Sequence, residues 1–155
     1  MGFIALGIAQ GAVDLCIELA NNKSSIGNPV PLRDRSLFQV RLAEAVALIR
    51  AARAWLREAL QQLSTAILAG ETDQFEKRAN MLLASTNASH SAAKAVDIIY
   101  TISGAGANYR SNRLQRALRD VHAVTQHFVT AAPQYESAGR MLLGLPPLSP
   151  PYILS

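Results

Sequence analysis

The residues with chemical potential crowd into one stretch of the chain. Ser103-Gly104-Ala105-Gly106-Ala107-Asn108-Tyr109-Arg110 is a glycine turn running into a basic helix start, and Arg116, Arg119-Asp120 and His127 follow it. Glycine permits positive φ and close backbone approach, while a helix beginning there aims unpaired N–H groups and the positive end of its dipole at its neighbour. That combination suits an anionic cofactor. An imidazole at 127 adds a group that exchanges protons near neutral pH.

Each feature also has a plain structural reading. A charged pair such as Arg119-Asp120 on a helix is most often a solvated face, and a lone histidine is most often a hydrogen-bonded core or surface residue. His90, His122 and His127 lack the carboxylate or cysteine company and spacing of a metal site. No Ser/His/Asp set or Walker loop is present, and the Gly-Ala-Gly run lacks the strand that a dinucleotide fingerprint needs. From the residues alone, the chain is a helical protein with one corner fit for an anion or cofactor.

The elements that must position this corner are helices throughout. The sequence predicts a first helix over 3–21, a loop over 23–33 marked by Gly27, Pro29 and Pro31, and a long helix over 35–69. The long helix carries a stripe of Leu42, Val46, Ile49, Ala52, Leu56, Leu60, Leu63 and Ile67 at steps of three and four. Gly70 is the expected left-handed cap, and Thr72 the expected N-cap of a second long helix. Its stripe runs Phe75, Ala79, Leu82, Thr86, Ser89, Ala93, Val96, Ile99 and Ile102, through an Ala- and Ser-rich middle that is its least apolar part. Gly104 and Gly106 break this helix. A fourth is expected over 112–130, and a fifth from Pro133 to about Gly144. Residues 1–145 thus form an all-α, up-and-down bundle around two long antiparallel helices, and the proline-rich 146–155 form an extended arm.

Composition narrows the function. The 155 residues are half hydrophobic, enough for one domain with a core. The net charge of +4 comes from basic residues spread along the chain, dense only over Arg110 to Arg119 and poor in aromatics, so no nucleic-acid partner is expected. Cys16 is the single cysteine, which excludes an intramolecular disulfide and suits a reducing compartment. The apolar start carries Asp14 and Glu18 without a basic leader, so neither a signal peptide nor a membrane span is expected, and the location expected is the cytoplasm. The long helices carry more apolar surface than one bundle covers, which predicts a homo-oligomer, a dimer or tetramer.

Three runs together resemble a known family. Ala95-Val96-Asp97-Ile98-Ile99-Tyr100 to Arg110, then Leu114 to His127 with its Arg119-Asp120-Val121-His122, then Tyr135-Glu136-Ser137-Ala138-Gly139-Arg140 to Leu145, are similar to the C-terminal helical domain of the acyl-CoA dehydrogenase superfamily. Leu37 to Leu56 resembles that domain's first long helix. The closer similarity is to the type 2, flavin-dependent monooxygenase branch, which includes dibenzothiophene monooxygenase and the steroid-degradation hydroxylases. Common dehydrogenases carry a catalytic glutamate about eight residues after the Arg-Asp pair, where this chain has Phe128. Glu136 lies two turns further on, beyond Pro133. The monooxygenase branch has a histidine seven residues after the pair, and His127 stands there.

The resemblance implies reduced flavin (FMN or FAD) delivered by a separate reductase, O2, and a flavin C4a-peroxide that oxygenates a small organic substrate. In that chemistry His127 is the implied catalytic residue, deprotonating a phenol-like substrate or hydrogen-bonding the peroxide. Gly104, Gly106 and Asn108 are the implied flavin contacts, and Arg119-Asp120 would support the helix carrying His127. Family enzymes also have an N-terminal helical domain and a β-barrel not found in this sequence, and the arginine and phenylalanine that dehydrogenases use after the first helix are not recognisable in 23–33. The expectation is therefore an oligomerisation and partial flavin-binding domain, inactive by itself. Two alternatives stand beside it: part of an acyl-CoA dehydrogenase with its base elsewhere, or a non-catalytic helical assembly module.

Overall fold

The computed structural model describes residues 1–22, 30–109 and 111–148, so Arg110, the segment 23–29 and the tail from 149 lie outside the described residues. Five α-helices follow in order: α1 Gly2–Asn22, α2 Ser36–Leu68, α3 Phe75–Ile102, α4 Arg113–Gln126 and α5 Pro133–Leu142. A 3-10 turn at Leu32–Asp34 precedes α2, and another at Ala105–Asn108 joins α3 to α4. No strand occurs among the described residues, and the expected all-α bundle is the observed one.

α2 buries four members of the expected stripe, Ile49, Ala52, Leu56 and Leu63, as part of a heptad seam. Ala45, Ala52, Ala59 and Ala66 recur every seven residues, with Ile49, Leu56 and Leu63 between them, and all seven are buried. Leu60 and Ile67, expected inside, are 41% and 53% exposed. A repeat of 3.5 residues per turn keeps one seam facing a neighbouring helix, and alanine at alternate positions lets that neighbour come close. The helix ends as expected at Gly70: its φ is 70°, its N–H bonds the Ile67 carbonyl at 3.1 Å, and the Glu71 N–H bonds the Ala66 carbonyl at 3.0 Å. The N-cap of α3 is a correction. Gln74 occupies it, not Thr72, and the Asp73 carboxylate accepts from the Phe75 N–H at 3.2 Å, doing from one residue further on what Thr72 was expected to do.

The Ala- and Ser-rich middle of α3 is its most buried part. α3 as a whole packs against all four other helices, so it buries both Leu82, Thr86, Ser89 and Val96 on one side and Ala84, Ala88, Ala92, Ala95 and Ile99 on the other. The hydroxyls survive there because Thr86 donates to the Leu82 carbonyl at 2.9 Å and Ser89 to the Ser85 carbonyl at 3.2 Å. Phe75, expected to start the stripe, is 38% exposed.

Contacts at both ends of the bundle give its directions. A Cβ on Gly2 would stand 2.9 Å from Leu56 Cδ2 and 3.1 Å from Ala88 Cβ, while Ser103 Oγ reaches Cys16 Sγ at 3.5 Å, so α1 and α3 run parallel. His122 meets Asp97, and Thr130 meets His90, so α4 runs antiparallel to α3. By length and hydropathy α1 could cross a membrane. In the fold Ala5, Leu6, Ala9, Ala12, Val13 and Cys16 are at most 2% exposed against the neighbouring helices, which is the pattern of a core helix.

Burial pushes the Cys16 thiol up, and the Ser103 hydroxyl opposes this to a lesser extent. A thiol so raised keeps its proton in the folded chain after the unfolded chain has lost it. Its contribution is therefore complete below the unfolded thiol value of about 8.5 and declines as pH rises past it. Thermal melts followed by circular dichroism should show wild-type Tm falling between about pH 8 and about pH 10 more steeply than Cys16→Ala. Equal slopes would show that the thiol ionises alike in both states.

Candidate functional site

α3 stops at the glycine turn for a backbone reason. Gly104 has φ 73° and ψ −170°, a conformation that side-chain-bearing residues avoid, and its carbonyl accepts the Ala107 N–H at 3.0 Å. Gly106 belongs to the 3-10 turn itself. Asn108 is exposed, and its Oδ1 accepts the Tyr100 hydroxyl at 2.5 Å, which ties the turn back to α3. A Cβ on Gly104 would meet nothing within 4 Å, so Gly104→Ala would act through strain alone, at roughly 1–3 kcal/mol. Gly7→Ala, in ordinary helical backbone with equal room, should stabilise by about 0.5–1 kcal/mol. Urea unfolding of the two variants checks the contrast.

The start of α4 is less open to an anion than its sequence suggests. Asn112 caps it, accepting the Leu114 N–H on its side chain at 2.9 Å and the Gln115 N–H on its carbonyl at 3.1 Å. One group in this turn still lacks a partner among the described residues: the buried Oε1 of Gln115. An acceptor left so calls for a donor from outside the helix.

At the other end, α4 closes at Gln126, four residues before the expected end. The reason is Thr130, fully buried, whose hydroxyl donates to the Val124 carbonyl at 2.8 Å and so takes a helix-ending acceptor. His127 is the C-cap, with φ −69° and ψ 131°, and its carbonyl accepts the N–H groups of Thr130 and Ala131 at 2.8 and 2.9 Å. Its half-buried ring stacks on Phe128 at 4.6 Å between centroids. The Val129 N–H donates to Nδ1 at 3.3 Å. A neutral ring that accepts at Nδ1 carries its proton on Nε2, so His127 presents an Nε2–H donor to whatever lies beyond it.

The structure does not gather all the expected site residues into one corner. Gly104, Gly106 and Asn108 sit before α4 and His127 after it, and a helix of 14 residues at 1.5 Å per residue separates them by about 21 Å. Phe128, at the place of the dehydrogenase base, is 55% exposed, and Glu136 sits exposed in the first turn of α5. Asp120 pairs with Arg116 one turn earlier at 3.3 Å rather than with Arg119, which is exposed. One pair was hidden from the sequence: His122 Nε2 donates to Asp97 Oδ1 at 2.8 Å, both half-exposed, bracing α4 against α3. His122 thus has carboxylate company after all, from 25 residues away, though no group of three metal-ligating side chains forms among the described residues. His90 donates from Nε2 to the Thr130 carbonyl at 3.1 Å and packs against the Tyr135 ring, a structural role that holds the segment after His127.

Known proteins are similar to this chain in sequence and fold. Indole-3-acetate monooxygenase of Pseudomonas putida is 33% identical over 148 residues, which is 96% of this chain and 38% of that protein. XiaF from Streptomyces sp., solved in complex with FADH2 and glycerol, superposes with a TM-score of 0.88 at 23% identity, over 97% of this chain and 38% of its own. The 3-HSA hydroxylase from Rhodococcus sp. RHA1 gives 0.80 at 29% identity, over 94% of this chain and 36% of its own. The HsaA monooxygenase from M. tuberculosis gives 0.79 at 27%, over 94% and 37%. The chain therefore spans well under half the length of these relatives. The family described as acyl-CoA dehydrogenase, C-terminal domain, matches residues 1–132, and this chain belongs to it.

Proposed function

We propose that this chain is the C-terminal domain of a two-component flavin-dependent monooxygenase, which uses reduced flavin from a separate reductase and O2 to oxygenate a small organic substrate. The observation that carries the reading is His127, which closes α4 with Nδ1 accepting the Val129 N–H, beside the Phe128 that stands where a dehydrogenase would carry its carboxylate base. Similarity over nearly the whole chain to an indole-3-acetate monooxygenase supports it.

The flavin, when bound, supplies the oxygen activation, and this chain's residues orient it. Gly104 and Gly106 would let the backbone approach it, Asn108 would offer its amide N–H groups, and the unmet Gln115 acceptor suits a ligand donor nearby. Because about 21 Å separate the glycine turn from His127, no single flavin ring touches both. An extended dinucleotide, or copies of the chain sharing their cofactors, can. The exposed Leu37, Val40, Ile67, Leu68, Leu142 and Leu143 give a dimer or tetramer its contact surface, in a soluble cytoplasmic enzyme. Residues 1–145 act as the domain, with the segment from 146 as an appended arm.

Anaerobic titration of reduced FMN and reduced FAD into the complete enzyme tests the reading. Saturable quenching of flavin fluorescence, stronger for the reduced than the oxidised form, is expected. No spectral change with either flavin would leave the domain as an assembly module.

A further inference from the structure

A groove of about 290 Å³ runs between α1 and α4, with Gly7, Gly11 and Leu15 on one wall and Arg113, Arg116 and Asp120 on the other. Its α1 wall is unusual. Gly7 and Gly11 stand mid-helix with ordinary helical backbone, where glycine is the least favourable residue after proline, and a Cβ on either would meet nothing within 4 Å. Packing inside the chain thus has no need of glycine there. The two glycines leave bare backbone as the floor of the groove, with room for a flat ring.

The α4 wall is cationic and under-used. Arg113 has no hydrogen-bond or ion-pair partner among the described residues. Arg116 is held by the single contact to Asp120, with its side chain 77% exposed, and such a surface pair exchanges readily. Two guanidiniums against one carboxylate give the wall a net charge of +1. That charge favours a monoanion, and Asp120 disfavours a dianion.

We propose that this groove binds a small aromatic monocarboxylate, its carboxylate on Arg113 and Arg116 and its ring over Gly7 and Gly11. Guanidinium forks match carboxylates in geometry, and Leu15 gives the ring an apolar edge. Positions 113, 116, 120 and 127 share one side of α4 at 3.6 residues per turn. The Arg116 head is drawn to the level of Asp120, which is seven residues, or about 10 Å, from His127. On the reading that His127 stands at the reaction centre, the groove sets the substrate class by receiving the acid on the side of α4 that carries His127.

Titration of the 155-residue chain with phenylacetate, phenylacetamide and inorganic phosphate, followed by amide NMR shifts, tests the groove. Phenylacetate should shift the amides of Gly7, Gly11, Arg113 and Arg116 and bind about tenfold or more tightly than the amide. Arg113→Gln and Arg116→Gln should each weaken it by about tenfold, and Gly11→Leu, which fills the groove, should abolish it with helicity unchanged. Equal binding of acid and amide, displacement by equimolar phosphate, or shifts elsewhere would overturn the assignment. In the complete enzyme Arg116→Gln should raise KM for aromatic acids by about tenfold and by much less for neutral aromatics. Groove binding without oxygenase activity would retire the monooxygenase reading alone, and activity without groove binding would retire the groove alone.

Discussion

His127→Ala is expected to cut product formation in the complete enzyme by about 10²–10³, the usual cost of losing one preorganised donor at a reacting centre. Flavin affinity should stay within a few-fold, because the imidazole is one contact among many, and the oxygen consumed should appear as hydrogen peroxide. The tautomer makes the prediction sharper. With the Val129 N–H on Nδ1, the ring offers a proton from Nε2 rather than a lone pair. His127→Gln, whose amide N–H reaches a similar position, should then recover much of the loss. If Gln is as damaging as Ala, the ring works as a base and the Val129 bond must open in turnover. Product and peroxide measured together, in wild type and both variants, separate the cases.

The second large effect concerns the frame that holds this residue. Leu56→Ala should destabilise the chain by about 3–5 kcal/mol, the upper part of the range for large-to-small core changes. Leu56 is 1% exposed and lies at the α2 seam between Ala52 and Ala59, against the start of α1 at Gly2. Its neighbours are already the smallest side chains, so helices this close have little left with which to collapse into the void. A loss of that size lowers Tm by on the order of 10 °C in a domain of this length. Leu60→Ala, the same change four residues on at a 41% exposed position, should cost under about 1 kcal/mol. Comparable losses at both positions would contradict the heptad seam.

Those two leucines show what could be read from the residues and what could not. Helix existence and type were legible because apolar residues recur at helical spacing, and Gly70, Asn112 and Pro133 punctuate the chain as caps and first turns do. The face of α2 was legible at Ile49, Ala52, Leu56 and Leu63, but Leu60 and Ile67 were included in place of Ala59 and Ala66, because hydrophobicity favours leucine over alanine while the seam selects alanine for its size. The same bias made the middle of α3 look weakly apolar when it is the centre of the bundle. The early end of α4 depends on the Thr130 hydroxyl reaching back six residues, which no period reveals.

The candidate site was legible residue by residue but not in space. His127 and the glycine turn stand close in sequence, yet a straight helix holds them about 21 Å apart. The His122–Asp97 brace and the groove of Arg113 and Arg116 over Gly7 and Gly11 join elements far apart in the chain. Their only sequence signals were a carboxylate on a neighbouring helix and two glycines spaced four apart inside a helix, and neither names its partner.

The most direct test is to supply the complete enzyme with reduced flavin from a separate reductase under oxygen-18 gas, with an aromatic acid as substrate, and to weigh the product. One atom of label in the product, lost in His127→Ala, is the result predicted. Reoxidation of the flavin with all of the label in peroxide and none in any product, across acids and neutral aromatics alike, would contradict the monooxygenase assignment.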